Sequence, residues 1–257
     1  MKNVEISDKA VVGNNFTVGS FTVIEEDVII GDNVEVGNNV YIANGARIAD
    51  GVKIHSSAQI SIAPHDLGYK GEKTTCEIGE GTIVKELATL CRGTTGKNGS
   101  LETTKIGKNC YIMNFSHVAH DNVIGDNVIL TNSANCGGHV VIGNYVNVGA
   151  LTGIHQFVKI GDYCMVGTCI KVVKDVPPYI MVSREPSRFI GLNKVGLRRR
   201  GFSNEAIDNI RKAYDLIYGS EYNVSDAVEK IKSEIEITNE VSNILNFISS
   251  SKRGIIR

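Results

Sequence analysis

From Ile6 to Ile60, every sixth residue of this chain is aliphatic. The series Ile6, Val12, Val18, Ile24, Ile30, Val36, Ile42, Ile48, Ile54, Ile60 is unbroken. It resumes at Ile78, Val84 and Leu90, then runs from Ile106 through Ile112, Val118, Ile124, Leu130, Cys136, Ile142, Val148, Ile154, Ile160 and Val166 to Val172. Neither the 3.6-residue period of a helix nor plain strand alternation fits this spacing. A unit of six residues cannot bury its own apolar face, whereas stacked units build a continuous core. β-Branched anchors followed by corners such as VGNN and IGDN suit a short strand that turns every six residues. Three turns close a triangle of about 18 residues, and backbone hydrogen bonds join each coil to the next at ~4.8 Å. Each buried anchor contributes roughly 2 kcal/mol as an upper estimate, enough in sum to offset much of the ordering entropy of so regular a chain. The pattern therefore predicts a mainly β fold, a parallel β-helix of hexapeptide repeats.

Two stretches break the phase, residues 61–77 (SIAPHDLGYKGEKTTCE) and 92–105 (RGTTGKNGSLETTK). Both are rich in glycine, threonine and charge, and are expected to bulge from corners of the scaffold, where binding residues commonly sit. After DVPPY, residues 175–179, the period ends. Pro177 and Pro178 do not continue a ladder easily. From Ser203 the spacing becomes helical: Ser203 as N-cap, Glu205 in the first turn, Ile207, Ile210, Ala213, Tyr214 and Ile217 on one face, and Gly219 at the end. A second helix is expected from Ser225 with Val228, Ile231 and Ile235, and a third with Val241, Ile244, Leu245 and Ile248. The expected division is a β-helix domain over 1–186 and a helical domain over 187–257.

Composition excludes several function classes. A net charge of −1 carries no global nucleic-acid footprint. No apolar run is long enough to span a membrane, and the opening MKNVEISDKAV lacks an apolar signal core, so a cytoplasmic location is expected. The six cysteines form no C-x-x-C pair and no zinc-ribbon spacing, and free thiols in a reducing compartment are expected.

The coil length places residues 18 apart in one column. His120 then stacks with Gly138 and Gln156, Asp121 with His139, and His117 with Asn135, while His155 adjoins Gln156. Four of the six histidines gather near one edge of the prism. An imidazole can take a proton from an incoming hydroxyl. A glycine N–H one coil away could hold a developing oxyanion, with Asp121 orienting the imidazole. This is acyl-transfer chemistry without a covalent enzyme intermediate. Three histidines could alternatively hold zinc. Cys136 could serve as a nucleophile, but it falls on an inward anchor. Histidines stacked as surface polar groups are the bland alternative, and Arg198–Arg200 read on their own as a solvated basic run.

The repeat is similar to that of left-handed parallel β-helices, a class that also holds zinc-dependent carbonic anhydrases. Those space a ligand pair five residues apart, whereas His117 and His120 are three apart. The left hand is what the resemblance implies, since crossover physics favours the right hand. SHVAHD, GGHV, HQF, DVPPY and GLRRRGFS, in this order before a helical tail, resemble the UDP-N-acetylglucosamine O-acyltransferases of lipid A biosynthesis over nearly the whole chain. That resemblance implies His120 as general base, Gly138 as oxyanion donor and Asp121 beside the base. It implies substrate contacts from Asp66, His117, His139, His155, Gln156, Asn193, Arg199 and Arg200, the two arginines facing phosphate. It also implies a homotrimer with sites between neighbouring β-helices. The expected acceptor is a UDP-sugar, and the donor a 3-hydroxyacyl chain on the phosphopantetheine of acyl carrier protein. No further cofactor and no metal are expected. The chain departs from the family's P-Q-D-L-K loop at His65 and Gly68, which keeps a 3-amino sugar nucleotide open as acceptor. Cys91 stands where the family often has histidine, and Val195 where some members carry an acid. Thr168 falls where family side chains limit the acyl groove, which points to a shorter chain.

Overall fold

A computed structural model describes residues 3–96, 99–219 and 222–257 of the chain. Lys97 and Asn98, in the expected 92–105 loop, lie outside the described residues, as do Met1, Lys2, Ser220 and Glu221. The hexapeptide period becomes three sheets of nine, eight and ten strands that form the walls of a prism. Most strands are two residues long and end on an anchor, as in Ile29–Ile30, His117–Val118 and Asn147–Val148. Successive coils pair in parallel, His117 with Asn135 and Asn135 with Gly153. Anchors from Ile24 onward are buried in one continuous core. Ile6, expected to face inward, is 38% exposed, because the first coil has a neighbour on one side only.

The corners repeat with the anchors. The third residue after an anchor commonly has positive φ, as at Asn15, Asn33, Asn39, Asn109 and Asn127. Asparagine tolerates this region well, which explains its frequency in the corner motif. Many corners also carry a ladder between coils. The N–H groups of Asn14, Ser20, Lys108, Asp126 and Asn144 donate to Asp or Asn side chains 18 residues on, at 2.6–2.8 Å.

Both phase breaks leave the sheets intact. The first leaves after strand Gln59–Ile62 and rejoins at Thr75–Ile78, and the second leaves after Thr89–Cys91 and rejoins at Thr103–Ile106. The parallel stack ends at Ile180–Ser183, which pairs with an antiparallel strand, Arg188–Leu192, that the period did not predict. That strand lies beyond residue 186, and helical structure begins at α1, Lys194–Arg199. The short helix α1 was missed because its arginines read as a charge run. Helix α2 spans Asn204–Tyr218 with the expected Ser203 cap, buried face and Gly219 end. Helix α3, Val224–Glu234, is capped by Asn223 and begins one residue earlier than expected. Its buried face is Ala227 and Ile231, and Ile235 is already extended. Helix α4 covers Asn239–Ser250. The helices dock on the last coils through the Tyr214 hydroxyl, which donates to the Pro178 carbonyl at 2.6 Å, and Asn243, which donates to Asp162 and Tyr179. The C-terminal segment returns to the prism, with the Ile256 N–H on the Asp175 carbonyl.

Candidate active site on one prism edge

Residues 119–122 turn the chain from strand His117–Val118 of the first sheet to Val123–Ile124 of the second. Asp121 occupies the positive-φ position of this corner and is 1% exposed. Its Oδ2 lies 2.8 Å from His120 Nδ1 and accepts the Thr94 hydroxyl at 2.6 Å. Its Oδ1 accepts the backbone N–H groups of Thr94 and Leu101 at 3.1 and 2.9 Å. The described part of the 92–105 loop therefore folds back to wrap the carboxylate. Burial works to raise the Asp121 carboxyl, but the bonds from His120, Thr94 and Leu101 outweigh it and hold it at about 2. A carboxyl depressed in the folded state stabilises above its unfolded pKa and loses that contribution as pH falls through the folded one. We expect Asp121 to contribute about 2 kcal/mol at neutral pH, mostly lost between about pH 5 and pH 2. Denaturant unfolding across that window should show the stability gap between wild type and Asp121→Asn closing with acidification. A gap that stays constant refutes the charge argument.

A carboxylate can only accept, so the His120 Nδ1 carries the proton in that bond and Nε2 is left with its lone pair. The ring packs directly over Gly138. A Cβ built there would stand 2.7 Å from His120 Cε1 and 2.8 Å from Nε2, so any side chain at 138 displaces the imidazole. At the corresponding place in the Asx-laddered corners, the N–H is occupied by a side-chain oxygen from the next coil. Here the next coil supplies Gln156, and no acceptor for the Gly138 N–H is found among the described residues. One edge thus presents an imidazole packed over a glycine whose N–H has no acceptor among the described residues.

The column of Asp121, His139 and Phe157 builds the flank. The rings of His139 and Phe157 stack at 4.5 Å, and His139 meets His120 edge to face at 5.0 Å. His139 Nδ1 is 3.0 Å from the Gly99 carbonyl, so that nitrogen bears the proton, and 3.9 Å from Asp121 Oδ2. The ligand atoms of His120, Asp121 and His139 lie within 4.8 Å of one another, although His139 shares its column with Asp121 rather than His120. On the adjoining strand, His117 Nδ1 is 2.7 Å from the Thr89 hydroxyl and its ring stacks on His65 at 5.3 Å. Burial, then His65 and His120, lower the His117 pKa. Asp66 caps its own loop, accepting the Gly68 N–H at 2.7 Å, and its neighbour His65 brings the loop onto the His117 face. His155 and Gln156 are exposed one coil above, and Arg253 of the C-terminal segment reaches to 3.3 Å from His155. Cys136 points into the core, and burial pushes its thiol up to about 12, which removes it as a nucleophile. The six thiols are unpaired, all but Cys169 buried.

Three expected substrate residues are not on this edge. Asn193 caps α1 and donates to the Tyr163 carbonyl at 2.9 Å. The Arg200 guanidinium lies 4.5 Å from the Tyr145 ring, and Arg199 is exposed beside it. Tyr145 and Tyr163 belong to the corner between the second and third sheets, a different edge of the prism. Sequence reading missed Thr94, Leu101 and Gly99, because the loop that carries them obeys no period. It also missed Phe157, which the 18-residue column from Asp121 and His139 does reach.

Residues 9–44 and 103–138 match the model of the bacterial transferase hexapeptide, and residues 175–256 match domain 2 of UDP-N-acetylglucosamine O-acyltransferase. A relative from Thermodesulfovibrio yellowstonii, an acyl-(acyl-carrier-protein)–UDP-N-acetylglucosamine O-acyltransferase, is 37% identical over 256 residues, 100% of this chain and 98% of its own. One of the same name from Syntrophobacter fumaroxidans is 46% identical over 203 residues, 79% of this chain and 78% of its own. The crystal structure of LpxA, a UDP-N-acetylglucosamine acyltransferase from Bacteroides fragilis, superposes with a TM-score of 0.96 at 40% identity, covering 100% of this chain and 99% of that one. LpxA from Acinetobacter baumannii gives 0.95 at 36% identity, with 100% and 99% covered. With relatives this similar over its full length, the chain belongs to the acyl-(acyl-carrier-protein)–UDP-N-acetylglucosamine O-acyltransferase family.

Proposed function

We propose that the chain moves a 3-hydroxyacyl group from acyl carrier protein to the 3-hydroxyl of UDP-N-acetylglucosamine, the first step of lipid A biosynthesis, with His120 as general base. The observation that carries this reading is the His120 ring, oriented by Asp121 and packed over Gly138, whose N–H has no acceptor among the described residues. In the proposed step, Nε2 takes the proton of the sugar hydroxyl as its oxygen attacks the thioester carbonyl. The Gly138 N–H stabilises the oxyanion, and collapse expels the phosphopantetheine thiolate, which recovers the proton from His120. Asp121 holds the imidazole in the required tautomer and balances its positive charge. The thioester is already activated, so this reading calls for no cofactor of the protein itself.

The split of the site residues between two edges supports the homotrimer. In a ring of three prisms, the His120 edge of one copy can face the Arg199–Arg200 edge of the next. A third edge, between the third and first sheets, exposes Phe21, Leu87, Phe115 and Leu151 at corner positions. Such a column of exposed apolar side chains favours burial against another chain. The unpaired cysteines support a reducing, cytoplasmic setting. Among the described residues no helix is long and apolar enough to cross a membrane.

The test is mass analysis of products from a panel of acyl carrier protein thioesters offered with UDP-N-acetylglucosamine and with its 3-amino analogue. The expected product comes from the hydroxyl acceptor and loses its acyl group in mild base. Acylation of the amine alone, giving a base-stable amide, would overturn the hydroxyl assignment.

A further inference from the structure

The first loop brings His65 back over the coil at a point where two further metal-ligating side chains converge. The ligand atoms of His65, Cys91 and His117 lie within 4.8 Å of one another. We propose that His65, Cys91 and His117 form a zinc site that pins the 61–77 loop, and with it Asp66, to the wall of the prism. This goes beyond acyl transfer and does not rest on it.

The chemistry of the donor set selects the metal. One thiolate and two imidazoles are the softer ligands that zinc takes in tetrahedral sites, and three protein donors leave a fourth position for water. In such a site the donor atoms stand about 3.3–3.6 Å apart, so the three groups need to close by at most about 1.5 Å. His65 is exposed on a loop and can supply that movement. The outer contacts are already in place. The Thr89 hydroxyl engages His117 Nδ1 at 2.7 Å, which fixes the ring and leaves Nε2 to the metal. The rings of His65 and His117 are parallel within 9°. The His65 backbone and the Arg92 charge both act to favour a thiolate at Cys91. Burial nevertheless pushes the Cys91 thiol up to about 11, so a metal would have to displace its proton.

Cobalt(II) titration of the full-length, chelator-treated protein tests the site. The expected result is one equivalent bound per chain with an intense near-ultraviolet thiolate-to-cobalt charge-transfer band. The band should vanish in Cys91→Ser. Binding should weaken in His65→Gln, whose exposed position spares folding, and by about 10- to 100-fold in the outer-contact variant Thr89→Val. With zinc added, backbone amides of residues 65–73 should exchange more slowly than after chelation. Failure to bind metal stoichiometrically overturns the proposal. So does binding without the charge-transfer band that persists in Cys91→Ser, which would assign the metal to His120, Asp121 and His139.

Discussion

Replacing His120 with alanine should lower kcat by about 10²- to 10⁴-fold, or roughly 3–5 kcal/mol of barrier, while the KM for the sugar nucleotide stays within a few-fold of wild type. The argument is that the imidazole acts on a proton in flight, not on the resting substrate. An interaction made only in the transition state is read in kcat and kcat/KM together, whereas one made equally to bound substrate is read in KM. The surrounding geometry makes the substitution clean. His120 is held by Asp121 on one side and rests on a glycine on the other, so no neighbouring backbone depends on the ring. Asp121 keeps three of its four hydrogen bonds, from Thr94 and Leu101, when the imidazole is removed. The carboxylate therefore stays satisfied and the corner stays folded. Steady-state kinetics with an acyl carrier protein thioester decide the matter. Near-normal turnover in His120→Ala would eliminate the base assignment, and a loss confined to KM would reassign His120 to binding.

The period of six was legible because a solenoid repeats one physical problem at every coil. Each anchor must be apolar, and each corner must accept positive φ. Spacing alone therefore placed the strands, the core and the His120–Gly138 column. The same periodicity located Cys136 inside and so disposed of its chemistry. What the period could not reach is whatever leaves the coil. Thr94 and Leu101 hold Asp121 from a loop whose length is set by nothing repetitive, and they were found only once the chain was folded. The antiparallel strand Arg188–Leu192 and helix α1 were hidden for a related reason. Each occurs once, at the end of the stack, where no repeat can vote for it. Asn193, Arg199 and Arg200 were expected from motif, not from position. Motif says which residues serve one substrate and is silent on whether one chain holds them all.

That silence leads to the second large effect. His120→Ala and the double variant Arg199→Ala/Arg200→Ala should each be nearly inactive alone, yet regain activity when co-expressed in one cell and purified together. The His120 corner links the first and second sheets, while Arg200 lies over Tyr145 at the corner linking the second and third. If a bound sugar nucleotide meets both sets across a copy-to-copy boundary, each variant spoils a different half of the site. In a ring of three that contains both variants, one of the three boundaries pairs an intact His120 edge with an intact arginine edge, about a third. Activity should recover to about that fraction of wild type. This is a rise of more than one order of magnitude over either parent, since two charge-assisted phosphate bonds lost together cost about 3–6 kcal/mol. Differently tagged copies, purified on both tags, supply the mixed assemblies. A mixture as inactive as its parents would mean that one chain carries the whole site. The exposed column of Phe21, Leu87, Phe115 and Leu151 would then need another occupant.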